Sequence, residues 1–239
     1  MKQIALTPVF VKTANVRNFT VLMDALNLAA GEGCLGLVHG RAGRGKTRTA
    51  QWYTANHEAV YLRAVTCWST SELAFMQGLA RELGVTSPPH RKGPCFAEVV
   101  DALLHHPRPV FVDELEKLSV RFLDLVRDLS DLSTAPFVLV GEEELLPAMK
   151  RNRRVWSRTF QQIEFKPVGI ADLMAYARDA AGLKLEPPVA EVFHKASGGD
   201  FRLIRRDILS LVQIANAKGT TTVDPDMARA AVTYGLAGR

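Results

Sequence analysis

The amino-acid sequence predicts an α/β fold with a five-stranded parallel sheet, followed by a small all-α domain. Short apolar runs rich in β-branched residues alternate with longer helical patterns as far as residue 167. Such alternation is typical of parallel strands that are joined by right-handed helical crossovers. From residue 168 onward the strand pattern disappears and only helical spacing remains. We therefore predict an α/β domain over residues 1–167 and an α-helical domain over residues 168–239.

The α/β domain is predicted element by element from apolar spacing and from turn residues. The strands are expected at 34–40, 59–65, 108–114, 135–142 and 161–168. The helices are expected at 46–56, 69–84, 95–106, 118–132 and 143–159. Ser69, with Glu72 three residues later, indicates a helix start, and the prolines and glycine of 86–94 predict a loop.

Four helical patterns make up the second domain. They cover residues 171–182, 187–199, 201–219 and 224–235. In the third, Ile204, Ile208 and Leu211 recur at the spacing of one helix face.

Composition places the chain among ordinary globular proteins. Of its 239 residues, 47% are hydrophobic and 23% are charged, so a sizeable core can be buried. The formal net charge of +5 is a weak indication of nucleic-acid binding. Three widely spaced cysteines predict free thiols in a reducing compartment, with neither a disulfide framework nor a zinc site. No apolar stretch approaches the ~18 residues of a spanning helix, so we expect a cytoplasmic protein without a membrane partner.

The strongest motif is the stretch Gly40–Thr47, which has the pattern G-x-x-x-x-G-K-T between a predicted strand and a predicted helix. Glycines let the backbone approach phosphates closely, and the N-terminus of the following helix favours anions. Lys46 is expected to reach the β- and γ-phosphates of ATP, and the Thr47 hydroxyl is expected to bind Mg²⁺. The predicted nucleotide-binding residues of this loop are Gly40, Ala42, Gly43, Arg44, Gly45, Lys46, Thr47 and Arg48.

Two carboxylates follow the apolar run of the third predicted strand. Asp113 at the strand tip can hold Mg²⁺ directly or through water, and Glu114 can orient or deprotonate an attacking water. A glutamate in this position favours hydrolysis over phosphoryl transfer to a small molecule.

With these motifs the chain resembles the AAA+ ATPases of the initiator type. Gly40–Thr47 resembles their Walker A motif, Val110–Glu114 their Walker B motif, residues 156–168 the S-R-x…F-x-P segment before the lid, and residues 197–208 the sensor-2 segment. Residues 10–19 and 139–145 are similar to segments of the ATPase subunits of DNA transposition. The resemblance implies a P-loop AAA+ core with a C-terminal helical lid.

The resemblance also implies roles for residues outside the two Walker motifs. Arg158 corresponds to an arginine finger that acts on the ATP of a neighbouring subunit, and Arg202 corresponds to the sensor-2 arginine. Asn15 and Val16 are expected near the adenine. Glu142 stands where the family usually has a polar sensor, so another group does that job or hydrolysis is slow.

Basic residues are the candidates for contacting DNA. The predicted DNA-binding residues are Arg91, Lys92, Lys117 and Arg121. Five basic residues also lie between Lys150 and Arg158, where a solvated helix end is an equally good interpretation for Arg151 and Arg153. Because no sequence-reading motif is present, any DNA binding is expected to be phosphate-directed, sequence-tolerant and salt-sensitive.

The leading hypothesis is an ATP-dependent, DNA-binding ATPase that assembles on target DNA and delivers it to a transposase. Its expected partners are non-specific double-stranded DNA, a transposase and further copies of itself in a ring or helical filament. A phage- or transposon-encoded protein of this kind acts in the bacterial host cytoplasm. The alternatives are a helicase loader or initiator-like ATPase, a P-loop small-molecule kinase, and a signalling switch that hydrolyses ATP slowly.

Overall fold

The computed structural model describes residues 3–29 and 34–237, with side chains as far as residue 235. Backbone contacts divide the chain into two compact units. The unit we call the sheet unit consists of the described residues in Asn18–Arg41 and Lys46–Phe165. The unit we call the helical unit consists of the described residues in Met1–Arg17, Ala42–Gly45 and Lys166–Arg239.

The sheet unit contains the predicted five-stranded parallel sheet. The strands are β1 Leu35–His39, β2 Val60–Arg63, β3 Val110–Asp113, β4 Phe137–Val140 and β5 Thr159–Glu164. Their order is β2-β3-β4-β1-β5, and every neighbouring pair is parallel. All residues of β1, β3 and β4 are buried because helices cover both faces of the sheet.

Side chains alternate between the two faces of these central strands. On β3, for example, Val110 and Val112 join one buried cluster, whereas Phe111 joins the other. In the register of the sheet, Asp113 is paired with Arg63 of β2 and with Val140 of β4. The carboxyl end of β3 therefore meets the ends of both its neighbours.

Seven helices lie wholly or partly in the described residues of this unit. They are α1 Ala14–Leu28, which begins in the helical unit, α2 Lys46–Asn56, α3 Glu72–Glu82, α4 Lys92–His105, α5 Arg121–Ser133, α6 Leu145–Arg151 and α7 Arg153–Trp156. Two 3₁₀ turns, Thr66–Trp68 and Leu115–Lys117, follow β2 and β3.

Helix α1 was absent from the sequence-based prediction. Its buried residues Phe19, Leu22, Met23 and Leu26 recur every three or four positions and pack in the sheet-unit core. This spacing is a helical signal, so α1 was predictable from the sequence.

The predicted helix at 143–159 is wrong, because Asn152 interrupts it. Asn152 has an extended backbone (φ −91°, ψ 92°), and its side chain accepts a hydrogen bond from the Val155 nitrogen. Asparagine favours such caps over helix interiors. The result is two short helices, α6 and α7, in place of one.

The starts of α3 and α4 also differ from the prediction. The cap of α3 is Ser71, whose hydroxyl accepts from the Ala74 nitrogen at 3.1 Å, so Ser69 is not the cap. Helix α4 begins at Lys92 with Arg91 as its capping position, whereas both residues were predicted in a loop.

The helical unit contains the four predicted helices: α8 Ile170–Ala181, α9 Pro187–Ser197, α10 Phe201–Lys218 and α11 Pro225–Ala237. The N-terminal segment packs on their core through Ile4, Leu6, Val9 and Val11. The Asn216 side chain holds this segment by bonding both to the nitrogen and to the oxygen of Ile4, each at 2.8 Å. The first residues thus group with the helical unit, while the domain boundary at 167/168 stays a prediction.

Within the described part of the chain, none of the helices combines the length and the apolar character needed to cross a membrane.

Candidate active site

The glycine-rich loop starts where β1 ends. Gly40 has φ +135°, and a Cβ there would lie 2.7 Å from the Phe165 carbonyl oxygen. Phe165 itself is fixed by a bond from its nitrogen to the His39 oxygen at 2.8 Å. Only glycine combines this backbone conformation with so close an approach, which is why the first glycine of the motif is required.

Lys46 is the first residue of α2, and its ammonium group lies across the start of the loop. It donates to the carbonyl oxygens of Gly40 at 2.5 Å and of Arg41 at 3.0 Å. Thr47 follows in the first turn of α2, where helix nitrogens and the helix dipole favour an anion. The start of α2 therefore offers helix nitrogens of the kind that the motif predicts for phosphate binding.

Asp113 is buried at the tip of β3, and hydrogen bonds orient both its carboxylate oxygens. The Tyr61 hydroxyl donates to Oδ2 at 2.7 Å, and the Glu114 nitrogen donates to Oδ1 at 2.9 Å. Burial, and then the bond to Asp113, raises the pKa of Tyr61 well above its usual value, so the hydroxyl stays a donor. Sequence analysis missed Tyr61, because its role depends on β2 lying beside β3.

Glu114 lies in the left-handed region, with φ 57° and ψ 37°. Its carboxylate forms an ion pair with Arg63 at 2.6 Å and a second one with Lys117. The bond from Arg63 is the main reason why the pKa of Glu114 is lowered, and Lys117 lowers it further. A left-handed non-glycine residue costs about 1–3 kcal/mol and is common at functional sites. The two cations thus keep the Glu114 carboxylate ionised, and they occupy both of its oxygens.

Glu116 is a second carboxyl group that sequence analysis missed. It accepts a hydrogen bond from the Glu142 nitrogen, and a Cβ on Gly141 would lie 2.5 Å from its Oε2 atom. Burial of the carboxyl group raises the pKa of Glu116, the Glu142 charge raises it further, and Lys46 opposes both. Glu116 therefore fills the space beside Gly141 and brings a second carboxyl group to the end of β4, where Glu142 already stands.

Arg158 lies at the opposite end of β1 from the glycine-rich loop. Its carbonyl oxygen accepts from the nitrogen of Leu35, the first residue of β1, whereas Gly40 follows the last. Five strand residues span roughly 16 Å. The Arg158 side chain is half exposed and pairs with Asp131 at 2.9 Å. This arginine is therefore remote from the loop of its own sheet unit.

The middle of the glycine-rich loop, Ala42–Gly45, groups with the helical unit and bonds to the start of α10. The Phe201 nitrogen donates to the Gly43 oxygen at 2.8 Å, and the Arg44 guanidinium donates to the Gly198 oxygen at 2.7 Å. A Cβ on Gly43, which has φ +76°, would overlap the Asp200 carboxylate. Asp200 in turn caps α10.

Arg202 and Asn15, two further predicted residues, also lie in the helical unit. The Arg202 side chain is exposed, and its backbone nitrogen donates to Asp200 at 2.7 Å. The buried Asn15 amide bonds to the Lys166 backbone in both directions, at 2.8 and 3.0 Å. Asn15 thus fixes the chain at Lys166, and its role with Val16 near adenine stays a prediction.

Three of the four predicted DNA-binding residues already have acidic partners. Lys92 and Arg121 both pair with Glu72, at 2.9 and 3.5 Å, while Lys117 pairs with Glu114. Arg91 is exposed at the start of α4. Lys92 and Arg121 therefore lie close to each other, and Lys117 forms an ion pair with Glu114, the predicted catalytic base.

A glycine-rich loop between β1 and α2, with an Asp–Glu pair at the tip of β3, is typical of a P-loop ATPase. The sequence model of the AAA domain family matches residues 30–149, which is half of the chain. The chain therefore belongs to the AAA domain family, and it is an ATPase.

Curated relatives narrow the comparison to transposition proteins. The chain is 26% identical over 206 residues to DNA transposition protein B of the Mu-like prophage FluMu from Haemophilus influenzae, covering 82% of this chain and 70% of that protein. It is 28% identical over 158 residues to the ATP-dependent target DNA activator B of Escherichia phage Mu, covering 65% of this chain. The match spans only 50% of the phage activator. These relatives confirm the predicted resemblance to the AAA+ ATPases of transposition.

Solved structures confirm the fold. The Aeropyrum pernix ORC2 protein in its ADPNP–ADP complexes superposes with a TM-score of 0.63 at 17% identity, covering 97% of this chain and 69% of that one. The Thermotoga maritima RuvB branch migration motor superposes with a TM-score of 0.61 at 18% identity, covering 94% and 70%. At such identities the likeness concerns the fold alone.

Proposed function

We propose that this protein is an ATPase that binds duplex DNA in an ATP-dependent manner and without sequence preference. It would assemble on this DNA and deliver it to a transposase. The observation that carries the proposal is the ion pair between Glu114 and Lys117. The group expected to activate water is bound to a cation expected to face DNA. DNA phosphates that attract Lys117 would weaken this pair and release the base, so DNA binding would stimulate hydrolysis.

In the proposed reaction Lys46 moves from the loop carbonyls to the β- and γ-phosphates and neutralises their charge. The first turn of α2 supplies backbone nitrogens to the same phosphates. Glu114, once freed from its cations, orients the attacking water. Arg202 of the same subunit would contact the γ-phosphate and would thereby couple α10 to the nucleotide state.

Mg²⁺ fits the residues at the end of β3 and the start of α2. Thr47 and Asp113 offer the oxygen ligands that Mg²⁺ prefers, and the two bonds at Asp113 fix its carboxylate orientation. In the described residues no group of three or more His, Cys, Asp or Glu side chains could hold a metal. Mg²⁺ is commonly held by one or two protein oxygens together with ATP phosphates. The bound ion would neutralise charge on those phosphates.

The position of Arg158 supports the proposal of self-assembly. Because it stands at the other end of β1 from the loop, roughly 16 Å away, its guanidinium would complete the site of a second copy. An arginine supplied in this way is worth roughly 10³–10⁵ in rate. Hydrolysis would then require a ring or helical filament, and the break-up of the filament would follow hydrolysis.

The proposed role in DNA transposition rests on the curated relatives. Two of them carry the names DNA transposition protein and target DNA activator. A bacterial host cytoplasm would supply both the ATP and the target DNA. The likeness to ORC2 concerns the fold alone, so it leaves the alternative of a loader or initiator-like ATPase open.

Nucleotide-dependent DNA binding tests the proposal. Anisotropy of a labelled random-sequence duplex is measured with a non-hydrolysable ATP analogue, with ADP and without nucleotide, and particle size is followed by sedimentation. We expect tight binding and large particles only with the ATP analogue, and loss of both in Lys46→Ala but not in the exposed-site control Lys184→Ala. A protein that stays monomeric and does not bind DNA would favour the small-molecule kinase or the signalling switch.

The identity of the protein that is recruited to the DNA distinguishes a transposition ATPase from a helicase loader. Immobilised DNA coated with the protein is offered either a candidate transposase or a bacterial replicative helicase. The proposal expects ATP-dependent retention of the transposase. Retention of the helicase alone would favour the loader.

A further inference from the structure

One cleft on the sheet unit has none of the predicted catalytic residues in its lining. It has a volume of about 490 Å³ and is open to solvent. We call it the arginine cleft. Its lining residues are Val120, Asp124, Ala148, Arg151, Asn152, Arg153 and Arg154.

The break between α6 and α7 creates this cleft. In one continuous helix, Arg151 and Arg154 would share a face, whereas Arg153 would point away from it, because successive residues turn by about 100°. The extended backbone of Asn152 ends α6 at Arg151 and starts α7 at Arg153. The interruption therefore allows all three arginines to line the same concavity.

The charge of the arginine cleft is unbalanced. Across the described part of the chain, we find no carboxylate within ion-pair distance of these three guanidinium groups, and all three residues are exposed. The one carboxylate in the lining, Asp124, pairs with Arg127 at 3.3 Å. By contrast, Arg63, Lys92, Lys117 and Arg121 all have acidic partners.

Clustered guanidinium forks match the geometry of phosphate oxygens, which they bind through two parallel hydrogen bonds. The cleft is too open to enclose a small ligand, which suits a passing polyanion. The cleft also adjoins Arg121, one of the predicted DNA-binding residues. Arg121, at the start of α5, faces Ser69 and Glu72, while Val120 and Asp124 of the same turn line the cleft.

We propose that the arginine cleft binds backbone phosphates of duplex DNA, and that the DNA path runs from Lys92 and Arg121 around the start of α5 to Arg151, Arg153 and Arg154. The inference rests on the proposed DNA-binding function and extends it to a second surface. The chemistry is sequence-independent, because guanidinium–phosphate contacts carry no base information.

Salt dependence of DNA binding tests the inference. The triple variant Arg151→Gln/Arg153→Gln/Arg154→Gln is compared with the control Lys184→Gln/Lys195→Gln/Lys218→Gln, which removes three exposed cations of the helical unit. Affinity for a random-sequence duplex is measured with a non-hydrolysable ATP analogue at several salt concentrations. Each lost phosphate contact should reduce the slope of log K against log salt by about 0.9, or up to about 2.7 for three. The control should keep the wild-type slope.

Three results would overturn the inference. If the wild type binds DNA and the cleft variant keeps the wild-type slope, the cleft is not on the DNA path although the proposed function stands. If the cleft variant loses ATP-dependent assembly in the absence of DNA, the cleft is an interface between copies. If the wild type itself does not bind DNA, the proposed function fails and the inference fails with it.

Discussion

Arg63 Nη2 lies 2.6 Å from Glu114 Oε1, and Lys117 occupies the other carboxylate oxygen. The predicted catalytic base is thus held between a residue on the neighbouring strand and one in the following turn. Both cations are partly exposed, so a DNA phosphate could compete with the carboxylate for either. This pairing links the predicted ATPase site to the predicted DNA surface.

The first prediction concerns release of that carboxylate. Replacing Arg63 with alanine should raise DNA-independent ATP hydrolysis by roughly two- to fivefold, the size expected for an exposed ion pair, and should lower the stimulation by DNA. Steady-state ATPase assays with and without duplex DNA measure both. Arg178→Ala, which removes an ion pair with Asp179 in the helical unit, is the matched control. A fall in basal rate would mean that Arg63 assists catalysis directly.

The second prediction concerns Glu116 and pH. Its carboxylate interacts electrostatically with Lys46 and Glu142, so when ionised it should repel phosphates bound by Lys46. Glu116→Gln keeps the shape and the acceptor for the Glu142 nitrogen, and it should bind ATP more tightly, by roughly two- to tenfold at pH 8.

The sign of the pH effect follows from the raised pKa of Glu116. As the pH falls through that pKa, the wild-type carboxyl becomes neutral and its repulsion disappears. The ratio of the wild-type to the variant dissociation constant for ATP should therefore approach one at low pH. Isothermal titration between pH 5 and pH 8 measures it. A ratio that does not change with pH would contradict this role for Glu116.

The third prediction tests action between subunits. Glu114→Gln lacks the base and should lose about 10²–10⁴ in hydrolysis rate, and Arg158→Ala lacks the arginine finger and should also be nearly inactive. Mixing the two should restore hydrolysis, because an Arg158→Ala subunit keeps Glu114 and receives Arg158 from its neighbour. No recovery at any mixing ratio, with mixed oligomers demonstrated, would show that Arg158 does not act in trans.

The fourth prediction concerns Asp207 on α10, which is completely buried and pairs with Arg206 at 2.6 Å. Burial is the main reason why the pKa of Asp207 is raised. The folded state therefore binds this proton more tightly than the unfolded state does, and it loses stability as the pH rises from the unfolded value of about 3.9 through the folded pKa.

Asp207→Asn cannot titrate at this position. The free energy of unfolding of the wild type minus that of the variant should therefore fall as pH rises through this window and then level off. Urea unfolding followed by circular dichroism between pH 3.5 and pH 8 measures the difference, with the exposed Asp226→Asn as control. A difference that increases with pH would contradict the raised pKa.

Local patterns predicted the sheet because its central strands are continuous apolar runs. In β3 and β4 every residue is buried, and such runs carry their own signal. The break at Asn152 was missed because a side-chain cap competed with the helical pattern on either side of it.

The roles of Tyr61 and Arg63 could not be predicted from local sequence patterns, for a different reason. They meet Asp113 and Glu114, which lie 52 and 51 residues further along the chain. These contacts require β2 to lie beside β3, and an order of β2-β3-β4-β1-β5 is a property of the whole sheet. A motif identifies the carboxylates, and only the strand order identifies their partners.

DNA stimulation of ATP hydrolysis tests the central claim most directly. The rate of phosphate release is measured with and without random-sequence duplex DNA, at low and at moderate salt, with Glu114→Gln as the background. A DNA-stimulated rate that falls as salt rises, and that disappears in Glu114→Gln, is the result that we predict. A rate that duplex DNA leaves unchanged at both salt concentrations would contradict the account.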